Sequence, residues 1–172
     1  EDARLYEAVE AVSDFACNLG INIPTGKDSL SMVQKYKDDA VYAPGTVIIS
    51  ASGEVSDVKK VVEPVLVNDI DSSLILVDFS KCKMELGGSS FAQVLNQIGD
   101  VAPTICDDAY FATAFNTIQK LINDGVILAG HDISAGGLIT TLLEMNFPNS
   151  KGGLNINFGS LEEKDLVKIL FS

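Results

Sequence analysis

Two short stretches hold the residue types from which chemistry can be built. The first reads Ile21-Asn22-Ile23-Pro24-Thr25-Gly26-Lys27-Asp28-Ser29-Leu30-Ser31-Met32. Its turn offers an ammonium (Lys27), a carboxylate (Asp28), the hydroxyls of Thr25 and Ser29, and a backbone N–H beside Gly26. That inventory suits a phosphate or a metal–phosphate complex. Pro24 fixes its own φ and biases Ile23 toward extended geometry, while Gly26 can adopt angles other residues avoid. The pattern predicts a strand, a tight exposed turn and a second strand. A Walker A loop is excluded: the place five residues before Gly26 is Ile21, and Asp28 follows the lysine where Ser or Thr is needed. The continuation also alternates with period two, as a strand does.

The second stretch is Gly130-His131-Asp132-Ile133-Ser134-Ala135-Gly136-Gly137-Leu138. It falls where an apolar strand pattern ends and a helical one begins, the usual place for ligands on a sheet. Asp132 can offer an oxygen ligand to Mg²⁺, with waters and phosphate oxygens completing the shell. Ser134 and the N–H groups of Gly136 and Gly137 can meet a phosphate at the helix start. The alternative is that Asp132 and Ser134 cap the helix and the glycines only allow close packing. His131 is the sole histidine, and it reads as an orienting hydrogen-bond donor before it reads as a catalyst.

The elements that must position these stretches follow from periodicity and caps. Leu5, Ala8, Val9, Val12, Phe15, Ala16 and Leu19 predict a helix over 3–19, with Gly20 as its stop. Residues 35–44 read as a loop or hairpin tip, 47–51 as a buried strand, and Asp57 as the cap of a short turn. The stretch 64–71, with Pro64, Asn68, Asp69 and Asp71, is the expected domain boundary. Beyond it, 73–79 reads as an apolar strand. Glu85-Leu86-Gly87-Gly88-Ser89-Ser90 then leads a helix bearing Phe91, Val94, Leu95 and Ile98, capped by Ser89 or Ser90. Asp107 or Asp108 caps a helix over 109–123 with Gly125 as its stop. A strand at 126–129, a helix at 138–145, a strand at 153–158 and a Ser160/Glu163 capping box complete the series. The order predicts an α+β fold, mixed sheets covered by helices.

At 172 residues, 47% of them hydrophobic, the chain can bury a core. Its net charge of −12 makes nucleic acid and anionic membranes poor partners. No apolar run is long enough to span a membrane. The odd, widely spaced Cys17, Cys82 and Cys106 argue against a disulfide framework or a zinc site, and predict buried structural thiols in a reducing cytoplasm. The sequence starts Glu1-Asp2 and stops just after an apolar helix begins, which predicts a fragment of a longer protein.

Taken together, IPTGKDSLSM, ELGGSSFAQV and HDISAGGLITTLLEM closely resemble the large, single-chain phosphoribosylformylglycinamidine synthase family, in order and through the whole chain. The resemblance implies an enzyme that uses ATP, Mg²⁺ and glutamine to convert formylglycinamide ribonucleotide to the amidine in purine biosynthesis. It implies that ATP activates the formamide oxygen and that ammonia from a glutaminase domain outside this chain displaces phosphate. It implies residues 1–68 as the end of an A-type synthetase domain and 69–172 as a truncated B-type domain, like the C-terminal domain of aminoimidazole ribonucleotide synthetase. By motif match, Asp132 is implied as a magnesium ligand and Ser134 as a nucleotide contact. Gly26, Lys27 and Ser29 are implied as the substrate- and phosphate-facing turn, with Asp28 beside them. Many relatives carry Asp where this chain has Ala135.

Three readings stay open at this point. One is a half-site of the amidine synthetase. Another is a binding module of the same enzyme that holds an ADP without turnover, since the family has one catalytic and one structural nucleotide site. The third is another ATP-dependent relative, such as aminoimidazole ribonucleotide synthetase.

Overall fold

The first helix, α1 (Asp2–Leu19), forms where apolar residues recur at helical spacing: Leu5, Ala8, Val12, Phe15, Ala16 and Leu19 make its partly buried stripe. It ends as its glycine dictates. Gly20 takes φ +69°, its N–H donates to the Cys17 carbonyl at 3.1 Å, and the Ile21 N–H donates to the Ala16 carbonyl at 2.9 Å. That pair of bonds satisfies carbonyls the helix end would otherwise leave unpaired. The computed structural model describes residues 2–27, 32–43 and 45–172. It divides into two compact units, Glu1–Ser56 and Asp57–Ser172.

In the first unit, β1 (Val33–Lys35) and β2 (Ala40–Tyr42) form an antiparallel hairpin with Val33 opposite Tyr42, Gln34 opposite Val41 and Lys35 opposite Ala40. The charged stretch 36–39 is its tip, closed by the Tyr36 N–H on the Asp39 carbonyl at 2.8 Å. The second unit carries α2 (Ser90–Val94), α3 (Asp108–Asn123), α4 (Gly137–Asn146) and α5 (Leu166–Phe171). Its core is Leu138, Leu142 and Ile169, where α4 meets α5, with Met84, Ile156, Phe158 and Leu161 packed against it. The architecture is α+β, helices with a small antiparallel sheet.

Several sequence expectations need correction. Among the described residues the ladder is β1–β2 alone. The apolar stretches 47–51, 73–79, 126–129 and 153–158 are irregular and not strands, and Ile48 is 83% exposed. An apolar run states a demand for burial but does not say which backbone will pair with it. The helix after Ser89 stops at Val94, leaving Leu95 and Ile98 exposed. The cap of α5 is Asp165, whose carboxylate accepts the Val167 N–H at 2.9 Å. The Glu163 carboxylate is turned to the N–H groups of Lys164 and Asp165, both at 2.8 Å, so no Ser160/Glu163 box forms.

The thiol expectation is also overturned. Cys82 and Cys106 are joined as a disulfide with a Cα–Cα distance of 5.6 Å, and Cys17 is exposed. Twenty-four residues separate the paired cysteines in sequence, so spacing could not reveal their approach. The two stretches also meet through the Lys81–Asp107 ion pair at 2.8 Å, one residue outside each cysteine, and through the Cys106 N–H on the Ser80 carbonyl at 2.9 Å. No described helix is long and apolar enough to cross a membrane.

Candidate functional site

The segment from Gly130 to Gly137 is held at both ends by backbone contacts. The Gly130 N–H donates to the Glu63 carbonyl at 3.2 Å, and the Gly137 N–H donates to the Ser134 carbonyl at 3.0 Å. Between them the chain turns into α4 through Gly136, which takes φ +95°. No side chain caps this helix. The capping alternative for Asp132 and Ser134 therefore fails, and both residues are exposed. The Asp132 side chain is 85% exposed.

The glycines have steric reasons of their own. A Cβ at Gly137 would lie 2.6 Å from the Leu170 carbonyl oxygen and 2.6 Å from Phe171 Cα, so α4 meets α5 only with a bare backbone there. A Cβ at Gly136 would lie 2.2 Å from Thr140 Oγ1. Close packing and a bare helix start coexist in this turn.

His131 lies between its neighbour Asp132 and α4. Its Nδ1 lies 2.8 Å from the Asp132 carbonyl oxygen and 3.4 Å from Asp132 Oδ1, and its Nε2 lies 3.1 Å from Glu144 Oε2 on α4. Thr141 Oγ1 donates to the same Asp132 carbonyl at 3.1 Å. Thr141 and Glu144 were not singled out in the sequence. The available signal was Thr141 and Glu144, three apart, which with Thr140 are the polar residues of an otherwise apolar stretch, Leu138 to Met145.

The glycine-led start of α2 belongs to the same unit. Ser89 Oγ accepts the Ala92 N–H at 3.1 Å, so Ser89 is the cap and its hydroxyl is engaged. The Gly87 and Gly88 N–H groups donate to the Val101 and Ile98 carbonyls, each at 2.7 Å. Glu85 anchors the loop to α5: its carboxylate meets Lys168 Nζ at 3.0 Å and its carbonyl accepts Ser172 Oγ at 3.0 Å. The hydrogen bond that Lys168 donates to Glu85 holds the Lys168 ammonium above the usual lysine range. Gly88, Ser90, His131, Asp132 and Ser134 all border one wide, open hollow whose lining runs through most of the second unit, from Val62 to Ser172. A smaller apolar pocket of about 230 Å³, walled by Leu142, Leu154, Ile156, Phe158 and Leu170, offers no charged group.

In the first unit, Gly26 and Lys27 lie in an exposed, irregular segment. Gly26 does not take a positive φ, and an added Cβ there would meet nothing within 4 Å. The special backbone angles expected of it are not used. Asp28 and Ser29 lie outside the described residues, so the turn they were expected to complete is not described.

Two family models match the chain. One, described as FGAR-AT PurM_N-like domain, covers residues 1–54; the other, AIR synthase related protein, C-terminal domain, covers residues 71–170. The chain belongs to the AIR synthase related family. Within that family the motif resemblance to phosphoribosylformylglycinamidine synthase holds along the whole chain. A protein of Arabidopsis thaliana named probable phosphoribosylformylglycinamidine synthase, chloroplastic/mitochondrial, is 43% identical over 173 residues, covering 100% of this chain and 12% of that protein. The chain thus spans about an eighth of the length of this curated relative. Both Asp132 and Ser134 fall within the stretch matched as the AIR synthase related C-terminal domain.

Proposed function

We propose that this chain is a segment of an ATP-dependent C–N ligase. The reaction is that of phosphoribosylformylglycinamidine synthase: formylglycinamide ribonucleotide, glutamine and ATP become formylglycinamidine ribonucleotide, glutamate, ADP and phosphate in purine biosynthesis. Asp132 is the magnesium ligand and Ser134 the nucleotide contact. Gly26, Lys27 and Ser29 form the phosphate- and substrate-facing turn, where the lysine ammonium meets anionic oxygens. The observation that carries the reading is the start of α4, where an exposed carboxylate and an exposed hydroxyl flank a helix end that neither of them caps.

The donor set fits magnesium in one particular way. Among the described residues no three His, Cys, Asp or Glu side chains converge as a metal cluster. One carboxylate suits a cation that keeps its waters and takes most of its remaining ligands from substrate phosphates, as Mg²⁺ does. When bound, the cation would neutralise phosphate charge; Asp132 would orient it and Ser134 would donate its hydroxyl to a phosphate oxygen. The domain junction is placed at 64–71, with 1–68 before it and 69–172 after it. The remaining domains of the longer enzyme, including a glutaminase, are its partners, and the cytoplasm is its setting.

Turnover and melting temperature of the intact enzyme, measured for Lys27→Ala and Asp132→Asn across a Mg²⁺–ATP titration, test the reading. Lys27→Ala should weaken substrate binding or turnover, and Asp132→Asn should weaken the magnesium dependence. Asn offers one poorer oxygen to the cation. If both variants track the wild type throughout, the site assignment is wrong. A module that holds ADP without turnover is the second reading, which the exposed carboxylate and hydroxyl at the α4 start would serve equally. It predicts that Asp132→Asn lowers the melting temperature through lost nucleotide while turnover persists.

A further inference from the structure

Two polar side chains of α4, Thr141 and Glu144, turn toward the His131–Asp132 stretch, while Thr140 bonds the Gly136 carbonyl of its own helix start. Thr141 is 5% exposed in a helix whose other buried residues are Gly137, Leu138, Leu142 and Met145. Its hydroxyl reaches back nine residues to the Asp132 carbonyl at 3.1 Å. The His131 ring, only 17% exposed, places Nδ1 on that same carbonyl at 2.8 Å. One helical turn beyond Thr141, the Glu144 carboxylate meets the other ring nitrogen at 3.1 Å. Residues three apart share a helix face, so a single face of α4 holds Asp132 twice: directly through Thr141, and indirectly through Glu144 and His131.

Fixing a carbonyl oxygen fixes the ψ angle of its residue, and with it the direction of the Cα–Cβ bond. Asp132 carries its carboxylate on that bond and leaves it 85% exposed. An exposed aspartate loses rotamer and backbone freedom when it takes a ligand, and one whose backbone carbonyl is already held loses less of the backbone part.

We infer that Thr141 and Glu144 are positioning residues that set the Asp132 carboxylate for its cation, an inference that rests on the magnesium reading above. Neither touches the cation; both act through the Asp132 peptide, Glu144 by way of His131. Partners of this kind typically change metal affinity by about 10- to 100-fold when removed.

The test is a Mg²⁺ titration of the intact enzyme at fixed ADP, read as the midpoint of the Mg²⁺-dependent rise in melting temperature. The variants are Thr141→Val, Thr141→Ser, Glu144→Ala, Glu144→Gln and Asp132→Asn. Thr141→Val and Glu144→Ala should move the midpoint upward by about tenfold or more. Thr141→Ser and Glu144→Gln, which keep the hydroxyl and an accepting oxygen, should restore it. A purely structural role would lower the melting temperature without magnesium and leave the midpoint in place, which overturns the inference. The Glu144 side chain is 47% exposed, so Glu144→Ala decides the matter if Thr141→Val fails to fold. Should Asp132→Asn shift the midpoint while both truncations leave it alone, only the positioning inference falls. Should Asp132→Asn itself be silent, the magnesium reading falls and the inference falls with it.

Discussion

A methyl group added at Gly137 would collide with the backbone of α5 at Leu170 and Phe171, on a residue whose φ of +75° already disfavours any side chain. The left-handed conformation alone costs an L-residue roughly 1–2 kcal/mol, and the overlap adds to it. Gly137→Ala should therefore lower the melting temperature of the protein and loosen the Asp132 turn with it, as thermal melts with and without Mg²⁺–ADP would show. Gly26 makes the opposite case. Its φ is unexceptional and a Cβ there has open space, so Gly26→Ala should leave the melting temperature unchanged or slightly raised, since alanine restricts the unfolded chain. Any loss of nucleotide or substrate binding in that variant would then report a ligand passing close to the backbone; unchanged binding would remove Gly26 from the site. In the sequence both glycines sit in motif stretches and read alike. The difference lies in what packs behind them, and that comes from residues more than 30 positions away in the case of Gly137.

The ends of α1 and α3 were legible because capping is local, although α5 is capped by Asp165 and not by the expected Ser160 box; strand partners were not legible because pairing is not local. Asp107 accepts the Tyr110 N–H at 2.9 Å and Gly125 closes α3 with φ +70°, as the sequence implied. What the sequence could not show is that Asp107 also meets Lys81, across the disulfide, at 2.8 Å. The hydrogen bond from Lys81, with the backbone N–H of Tyr110, holds the Asp107 carboxyl below the usual carboxylate range, and the same bond holds Lys81 above the usual lysine range. The signs set the pH window. A depressed carboxyl contributes stability above its ordinary value of about 3.9 that is lost as pH falls through the folded value. A raised ammonium contributes stability below about 10.4 that is lost as pH rises through its folded value. Asp107→Asn keeps the cap but removes the pair. Its melting temperature should fall below wild type at pH 7 and the gap should close as the pH drops below about 4. A gap of the same size at pH 2 would show that the cap, and not the ion pair, was lost.

At the scale of the whole molecule, the stretch before the proposed junction is engaged by the second unit: the Glu63 carbonyl accepts the Gly130 N–H and the Leu66 N–H donates to the Met145 carbonyl at 3.0 Å. A chain of residues 57–172 should accordingly melt higher than one of residues 69–172; equal melting would deny those bonds any weight. The last expectation concerns activity. The reaction proposed for the longer enzyme needs ammonia released from glutamine, and a thiol nucleophile for that step sits on a strained strand-to-helix turn or beside a base. Here Cys82 and Cys106 are bonded to each other, and Cys17 lies in the last turn of α1. The ring nitrogens of His131 face Asp132 and Glu144. The proposed cation site has a single carboxylate, and the chain spans 12% of its plant relative. The 172-residue chain by itself should therefore neither release ammonia from glutamine nor form ADP with formylglycinamide ribonucleotide, and its nucleotide binding should be weak. Phosphate-release and ammonia assays on the purified chain, with intact enzyme as the positive control, check this. Substrate-dependent phosphate release by the chain alone would mean that this segment carries a complete catalytic site and not one part of a larger one.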